Sequence, residues 1–249
     1  MKTSTWALVG SMALITATGC TPMVARVERP EDVEIMRAKL ADWPQLGRYR
    51  VDNATLEPVP AGEQRIVFYG DSVTDFWGRR EDTGEFFPGK PYINRGIIGQ
   101  TTAQMVLRFR QDVIDLHPDA VVILAGTNDI GVKTGPMTPE MTEDNFRSMA
   151  ELAKANGIQV ILASITPTLD YPWRRGLAPV PKIKALNDWL REYCVEHSLT
   201  YLDYYSAMVD ATGGMKPGIS FDGLHPNAKG YAIMTPLAQA AIDKTLGRR

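Results

Sequence analysis

The chain has 249 residues, of which 44% are hydrophobic and 22% charged, so it can bury a substantial core and is not a disordered polymer. Its 27 basic and 29 acidic side chains leave a formal charge of −2, and neither sign forms a long block, so the basic footprint of a nucleic-acid binder is missing. Two cysteines and three histidines in no metal-ligand spacing supply neither a disulfide framework nor a metal site.

The first 20 residues carry Lys2, then a mostly apolar stretch over 6–17, then Thr18-Gly19-Cys20. The apolar part is too short to span a bilayer comfortably. It resembles a bacterial lipoprotein signal, which implies a leader over 1–19, cleavage before Cys20 and lipid attached to that cysteine. The resemblance further implies an exported protein held at a membrane surface of the cell envelope. Because Thr21 rather than an aspartate follows the cysteine, it points to the outer membrane in a Gram-negative cell. An ordinary secretory leader cut near Gly19 or Cys20, with a secreted or periplasmic product, is the alternative. Residues 20–62 read as a tether, a short helix and a linker. Pro30-Glu31-Asp32 opens the helix, with Ile35, Met36 and Leu40 following, and proline and glycine mark 51–62 as the linker.

From there strand and helix signals alternate. Residues 65–69, 92–95, 120–124, 159–164 and 201–204 read as strands. Thr101 and Gln104 make a capping box ahead of a helix over 101–116, where Val106, Phe109, Val113 and Leu116 repeat at three and four. Thr138-Pro139 opens the next helix, with Phe146, Met149, Ala150 and Ala153 on one face and Asn156-Gly157 at its end. Ile183, Leu186, Leu190 and Tyr193 mark a third, whose apolar face also takes Cys194 as a buried small hydrophobe. A last helix covers 228–246, and Pro236 is expected to kink it. Apolar strands alternating with amphipathic helices place residues 63–249 in the α/β class. The expected architecture is a doubly wound, flavodoxin-like three-layer α/β/α sandwich with a five-stranded parallel sheet.

In that topology the loops leaving the C-terminal ends of the strands line one edge, where ligands bind. Strand 65–69 runs into Gly70-Asp71-Ser72, which places a hydroxyl at that edge. A serine nucleophile needs a base. His117 and His197 each precede a strand and so lie at the opposite edge, leaving His225. Its neutral imidazole could take the Ser72 proton, and Asp222, three residues earlier, could orient the ring. Gly99, just ahead of a helix N-terminus, and Asn128, in the loop after 120–124, could donate to a developing oxyanion. Each residue also has a plainer use: a cap for Ser72 and Asp222, a turn glycine for Gly99, an Asx-turn for Asn128.

Taken in order, these blocks resemble the SGNH/GDSL hydrolase family over residues 65–246. The resemblance implies Ser72 as nucleophile, Asp222 and His225 as acid and base, and Gly99 and Asn128 as the oxyanion hole, with neither metal nor cofactor. Gln100 stands where many members have aspartate, and Ala125 where many have a second glycine. The implied activity is that of a carboxylic ester hydrolase working on a small-molecule or glycan ester. Short-chain (acetyl) esters on a carbohydrate or cell-envelope substrate are favoured, because no long apolar stretch suggests an acyl tunnel. A lysophospholipase or thioesterase acting on longer chains, or a non-catalytic surface-anchored glycan-binding module, is the alternative. Residues 76–80 and 166–181, with Phe76, Trp77, Arg79, Arg80, Tyr171, Trp173, Arg174 and Arg175, are expected to shape the substrate sites unless they merely pack. The oligomeric state is left open.

Overall fold

The computed structural model describes residues 30–247. The leader over 1–19 and Cys20 lie outside them. The chain divides into two units, Met1–Ala41 and Asp42–Arg249. The described part of the first is helix α1 (Pro30–Ala41), which has Glu31 and Asp32 in its first turn, as the sequence suggests.

The second unit opens with a turn tied by the Asp42 carboxylate, which accepts from the N–H of Leu46 and Gly47 at 2.7 and 2.8 Å. Helix α2 (Arg50–Ala54) follows. The stretch read as a linker therefore begins inside a helix. Beyond it come β1 (Ile66–Gly70), α3 (Ser72–Asp75), β2 (Tyr92–Gly96), α4 (Thr102–Asp112) and β3 (Ala120–Leu124). Next are α5 (Thr127–Ile130), α6 (Pro139–Ala155), β4 (Gln159–Ala163), α7 (Pro179–Glu196), β5 (Thr200–Leu202), α8 (Tyr205–Met208) and α9 (Ala228–Thr245).

Among the described residues the strands form one five-stranded sheet in the order β2-β1-β3-β4-β5, every pairing parallel. Alternate residues of each strand go to opposite faces. Val67, Tyr69, Val121, Ile123, Val160 and Leu162 meet the apolar faces of α4, α6 and α7. Ile66, Phe68, Val122, Leu124, Ile161 and Ala163 meet α9 and an aromatic group around Trp77, Phe87 and Tyr92. Both faces are covered, which gives the expected three layers. The Thr101–Gln104 capping box is present, but α4 stops at Asp112, and a separate 3-10 turn over Ile114–Leu116 leads to β3. Val113 leaves helical geometry there, at φ −131°, so that the chain can swing back under the sheet. α9 runs through Pro236 as one helix.

Register aligns the edge that matters. Gly70 lies opposite both Gly96 and Leu124, so β1, β2 and β3 end at one level and release their loops side by side. A Cβ on Gly70 would stand 2.2 Å from Thr74 Oγ1 and 2.6 Å from the Leu124 carbonyl oxygen. Glycine is thus required by close approach of α3 and β3 rather than by an unusual backbone angle.

Candidate active site

Ser72 begins α3, with Asp71 as the cap: Asp71 Oδ1 accepts from the Val73 N–H at 2.9 Å. The cap presents Ser72 at the end of β1, only 3% exposed. Its Oγ lies 3.0 Å from His225 Nε2. On the far side of the ring, His225 Nδ1 lies 2.8 Å from Asp222 Oδ2. A carboxylate at Nδ1 holds the proton there, leaving the Nε2 lone pair free to accept the Ser72 hydroxyl. The structure therefore brings Ser72, His225 and Asp222 into one continuous line.

Local hydrogen bonds explain why an Asp-x-x-His segment can do this. Asp222 Oδ1 accepts from the N–H of Leu224 and His225 at 3.0 and 2.8 Å, which folds the chain back and frees Oδ2 for the imidazole. The Ser220 hydroxyl donates to the His225 carbonyl at 2.8 Å and accepts from the Gly223 N–H at 2.9 Å, closing the turn. Phe76 lies against the imidazole at a ring separation of 5.0 Å. Partial burial pushes the Asp222 carboxyl up, but donation from the His225 backbone and ring outweighs it, and the net direction is down. The carboxylate is thereby kept in its charged form.

Gly99 and Asn128 lie on neighbouring loops. Gly99 has φ +77°, in the left-handed region that favours glycine. Asn128, buried on α5, donates from Nδ2 to the carbonyl of Gln100 at 3.0 Å. An amide nitrogen carries two N–H groups, so this bond leaves one for another acceptor. Asp129 accepts from the N–H and hydroxyl of Thr102, which fastens α5 to the start of α4. His117 and His197 cap a 3-10 turn and α7 respectively, away from this edge. Cys194 is a buried free thiol, pushed up to about 12 by burial. Among the described residues no His, Cys, Asp and Glu cluster could hold a metal ion.

Sequence reasoning missed the supports behind this edge. Arg108 is fully buried and donates to the carbonyls of Gly70 (3.0 Å) and Arg95 (2.9 Å), to Asp112 (3.1 Å), and to Gln100 Oε1. It thus joins the residue before Asp71-Ser72 to the loop that carries Gly99. Gln100 Nε2 in turn donates to the Pro44 carbonyl at 2.8 Å, and the Tyr49 hydroxyl donates to the Gly96 carbonyl. Asp75 accepts from the Ile98 N–H at 3.0 Å and pairs with Arg79 at 2.6 Å. A signal for Arg108 did exist: with Asp112 it forms an i,i+4 pair, and it lies next to Phe109 in the apolar pattern of α4. The residues expected to shape the substrate sites divide. Trp77 stacks on Tyr231 inside the core, and Arg79 is held by Asp75, Tyr49 and the Asn94 carbonyl. Phe76 and Arg80 remain near His225 and Phe221, Tyr171 is buried, and Trp173 is half-buried.

Residues 68–233 match the model of the GDSL-like lipase/acylhydrolase family. A solved structure described as a GDSL-like lipase, from Bacteroides thetaiotaomicron, is 43% identical, with a TM-score of 0.77, and the alignment covers 81% of this chain and 98% of that one. The uncharacterized lipoprotein YqeF of Bacillus subtilis is 29% identical over 186 residues, 61% of this chain and 75% of that protein. An acetylxylan esterase of Geobacillus stearothermophilus is 24% identical over 203 residues, 69% of this chain and 90% of that one.

Proposed function

This chain belongs to the GDSL-like lipase/acylhydrolase family, whose members hydrolyse esters, and on that premise we propose that it is a serine esterase working through an acyl-enzyme on Ser72. The observation that carries the reading is the unbroken line from Ser72 Oγ through the His225 imidazole to Asp222, with separations of 3.0 and 2.8 Å. Ser72 Oγ attacks the ester carbonyl carbon while its proton passes to His225 Nε2. The imidazolium so formed faces Asp222 and is stabilised by it. Collapse of the tetrahedral intermediate expels the alkoxide, which takes the proton from Nε2. Water then attacks the acyl-enzyme with His225 as base, releasing the acid and restoring Ser72. The Gly99 N–H and the second N–H of the Asn128 amide are the oxyanion donors in this scheme, each worth about 10² to 10³ in rate. A module that only bound glycans would have no use for a base at hydrogen-bonding distance from a buried hydroxyl.

Short acyl chains on a carbohydrate are the substrate class the reading favours, and the acetylxylan esterase among the relatives supports it. One observation favours the second reading, longer chains. A mostly apolar cavity of about 400 Å³ adjoins α5, the helix of Asn128, with Ile130, Val132, Met137 and Leu186 in its wall beside Asp129, Glu143 and Lys182. Export with a lipid on Cys20 completes the proposal, supported by the lipoprotein relative. No described helix is long and apolar enough to cross a membrane.

The test is hydrolysis by the purified full-length protein of p-nitrophenyl esters from acetate upward, together with acetylated sugars. Acetate is expected to be turned over fastest, and Ser72→Ala and His225→Ala should each lose at least about 10³ in kcat with thermal unfolding unchanged. Folded wild-type protein inert on the whole panel would refute the enzyme, and rates rising with acyl length would select the second reading.

A further inference from the structure

One rim of the candidate site carries a cation that the fold leaves without a carboxylate. Lys133 lies on the turn after α5 and is exposed, and among the described residues no Asp or Glu oxygen comes within 4.0 Å of its ammonium. Two acids of the surrounding loops are already committed. Asp129 binds Thr102, and Asp170 accepts from the N–H of Tyr171 and Gly176 and lies 3.8 Å from Arg175.

The lysine is nevertheless placed. Its Nζ lies 4.4 Å from the centroid of the Trp173 ring, a cation–π separation. Its Cε lies 3.7 Å from the position a Cβ would take on Gly99, so the stem passes beside the glycine whose N–H serves the developing oxyanion. Trp173 is fixed in turn. Its indole N–H donates to the Gly131 carbonyl at 3.0 Å, and its ring stacks on Tyr171 at 4.9 Å. The Tyr171 hydroxyl lies 3.3 Å from Thr127 Oγ1, one residue before Asn128. A Cβ on Gly131 would come within 2.7 Å of the indole, so glycine is what admits it. With Tyr171 and Lys133 both on the indole, Trp173 acts as a support for the ammonium.

The other rim differs. There Arg80 lies 4.1 Å over Phe221 but is paired with Asp82 at 3.0 Å. Of these two cations, Lys133 on the Gly99 side is the one without a carboxylate partner among the described residues.

We propose that Lys133, held by Trp173, is a subsite for an anionic group on the ester substrate, a carboxylate or a phosphate. The preferred substrate is then an ester carried by an acidic sugar or a phosphate-bearing alcohol rather than by a neutral glycan. This rests on the ester-hydrolase reading and narrows its substrate. An ammonium beside a partly desolvated site attracts an anion more strongly than one in bulk water, and loses that advantage in salt.

The experiment compares kcat/KM of the full-length protein on matched acetate esters. These are 4-acetoxybenzoate against its methyl ester, and 4-acetoxyphenyl phosphate against its neutral dimethyl phosphate ester. The reading is the anionic-to-neutral ratio in wild type, Lys133→Gln, Lys133→Glu and Lys133→Arg. The ratio is expected to fall about tenfold in Lys133→Gln through KM, fall further in Lys133→Glu, and recover in Lys133→Arg. Added salt should lower the wild-type ratio and leave that of Lys133→Gln nearly flat. A drop confined to the benzoate pair identifies the group as a carboxylate, and one confined to the phosphate pair as a phosphate. Turnover of the neutral esters with one common ratio in all four proteins overturns the subsite alone. No turnover of any ester by folded wild type overturns the esterase reading and the subsite with it.

Discussion

Asp71 and Ser72 are adjacent and both buried, yet the fold treats their side chains differently. Ser72 has a partner in His225, whereas Asp71 Oδ2 has none among the described residues. Burial pushes the Asp71 carboxyl from 3.8 up to about 7, and the negative charges of Asp129 and Asp75 act in the same direction. A carboxyl whose folded pKa exceeds its unfolded value favours the fold while protonated. Its contribution is complete below the unfolded pKa, declines as pH rises through the window from 3.8 to about 7, and is level above that. Asp71→Asn keeps the acceptor for Val73 and carries no charge. It is expected to match wild type near pH 4 and to exceed it at pH 8 by on the order of a few kcal/mol, read from urea midpoints at the two pH values. The same difference at both would show that Asp71 is not buried as an acid. At this scale the residues that meet in the candidate site were legible where they lie in short segments, as in Gly70-Asp71-Ser72 and Asp222-x-x-His225. The sequence left open whether residues 76–80 face substrate or merely pack: Phe76 lies against the imidazole, whereas Arg79 is held by Asp75, the Tyr49 hydroxyl and the Asn94 carbonyl, the last two remote from it in the chain.

Among the elements, α4 does more than cover the sheet. Gln100 just ahead of it, and Gln104 and Gln111 along it, donate to the carbonyls of Pro44, Trp43 and Leu46. Asn53 of α2 donates to Asp112 and accepts from Arg95. Residues 42–54 thus form a strap over the ends of β2 and α4, and Arg108 passes that fastening on to the Gly70 carbonyl. Arg108→Met removes the cation facing the buried Asp112 carboxylate, which keeps Asn53 as a donor, and takes the guanidinium bonds from the Gly70 and Arg95 carbonyls. It is expected to lower unfolding free energy by about 3–5 kcal/mol in urea titrations. A loss below about 1 kcal/mol would mean that water replaces the guanidinium. The strap was illegible beforehand for a physical reason. Its bonds run to backbone carbonyls dozens of residues away, and a carbonyl has no sequence signature. β3, by contrast, is apolar along its whole length, and its bounds were readable residue for residue.

At the scale of the molecule, the five-stranded parallel sheet was legible because buried strands and amphipathic helices alternate cleanly from β1 onward, and the structure adds its order, β2-β1-β3-β4-β5. The same topology places three loop origins at one edge and sends His117 and His197 to the other. The mode of attachment to the cell is a proposal on Cys20. Metabolic labelling with a clickable palmitate is expected to tag the wild type and not Cys20→Ala, and equal labelling of both would refute the anchor. Everything proposed about substrate, from short acyl chains to the charge read by Lys133, depends on Ser72 being the nucleophile. The most direct test is an alkyl fluorophosphonate incubated with the purified full-length protein, its adduct located by tandem mass spectrometry. One adduct is expected, on Ser72, formed far more slowly in His225→Ala. An adduct on a different residue, or none on protein that still hydrolyses p-nitrophenyl acetate, would contradict Ser72 as the nucleophile.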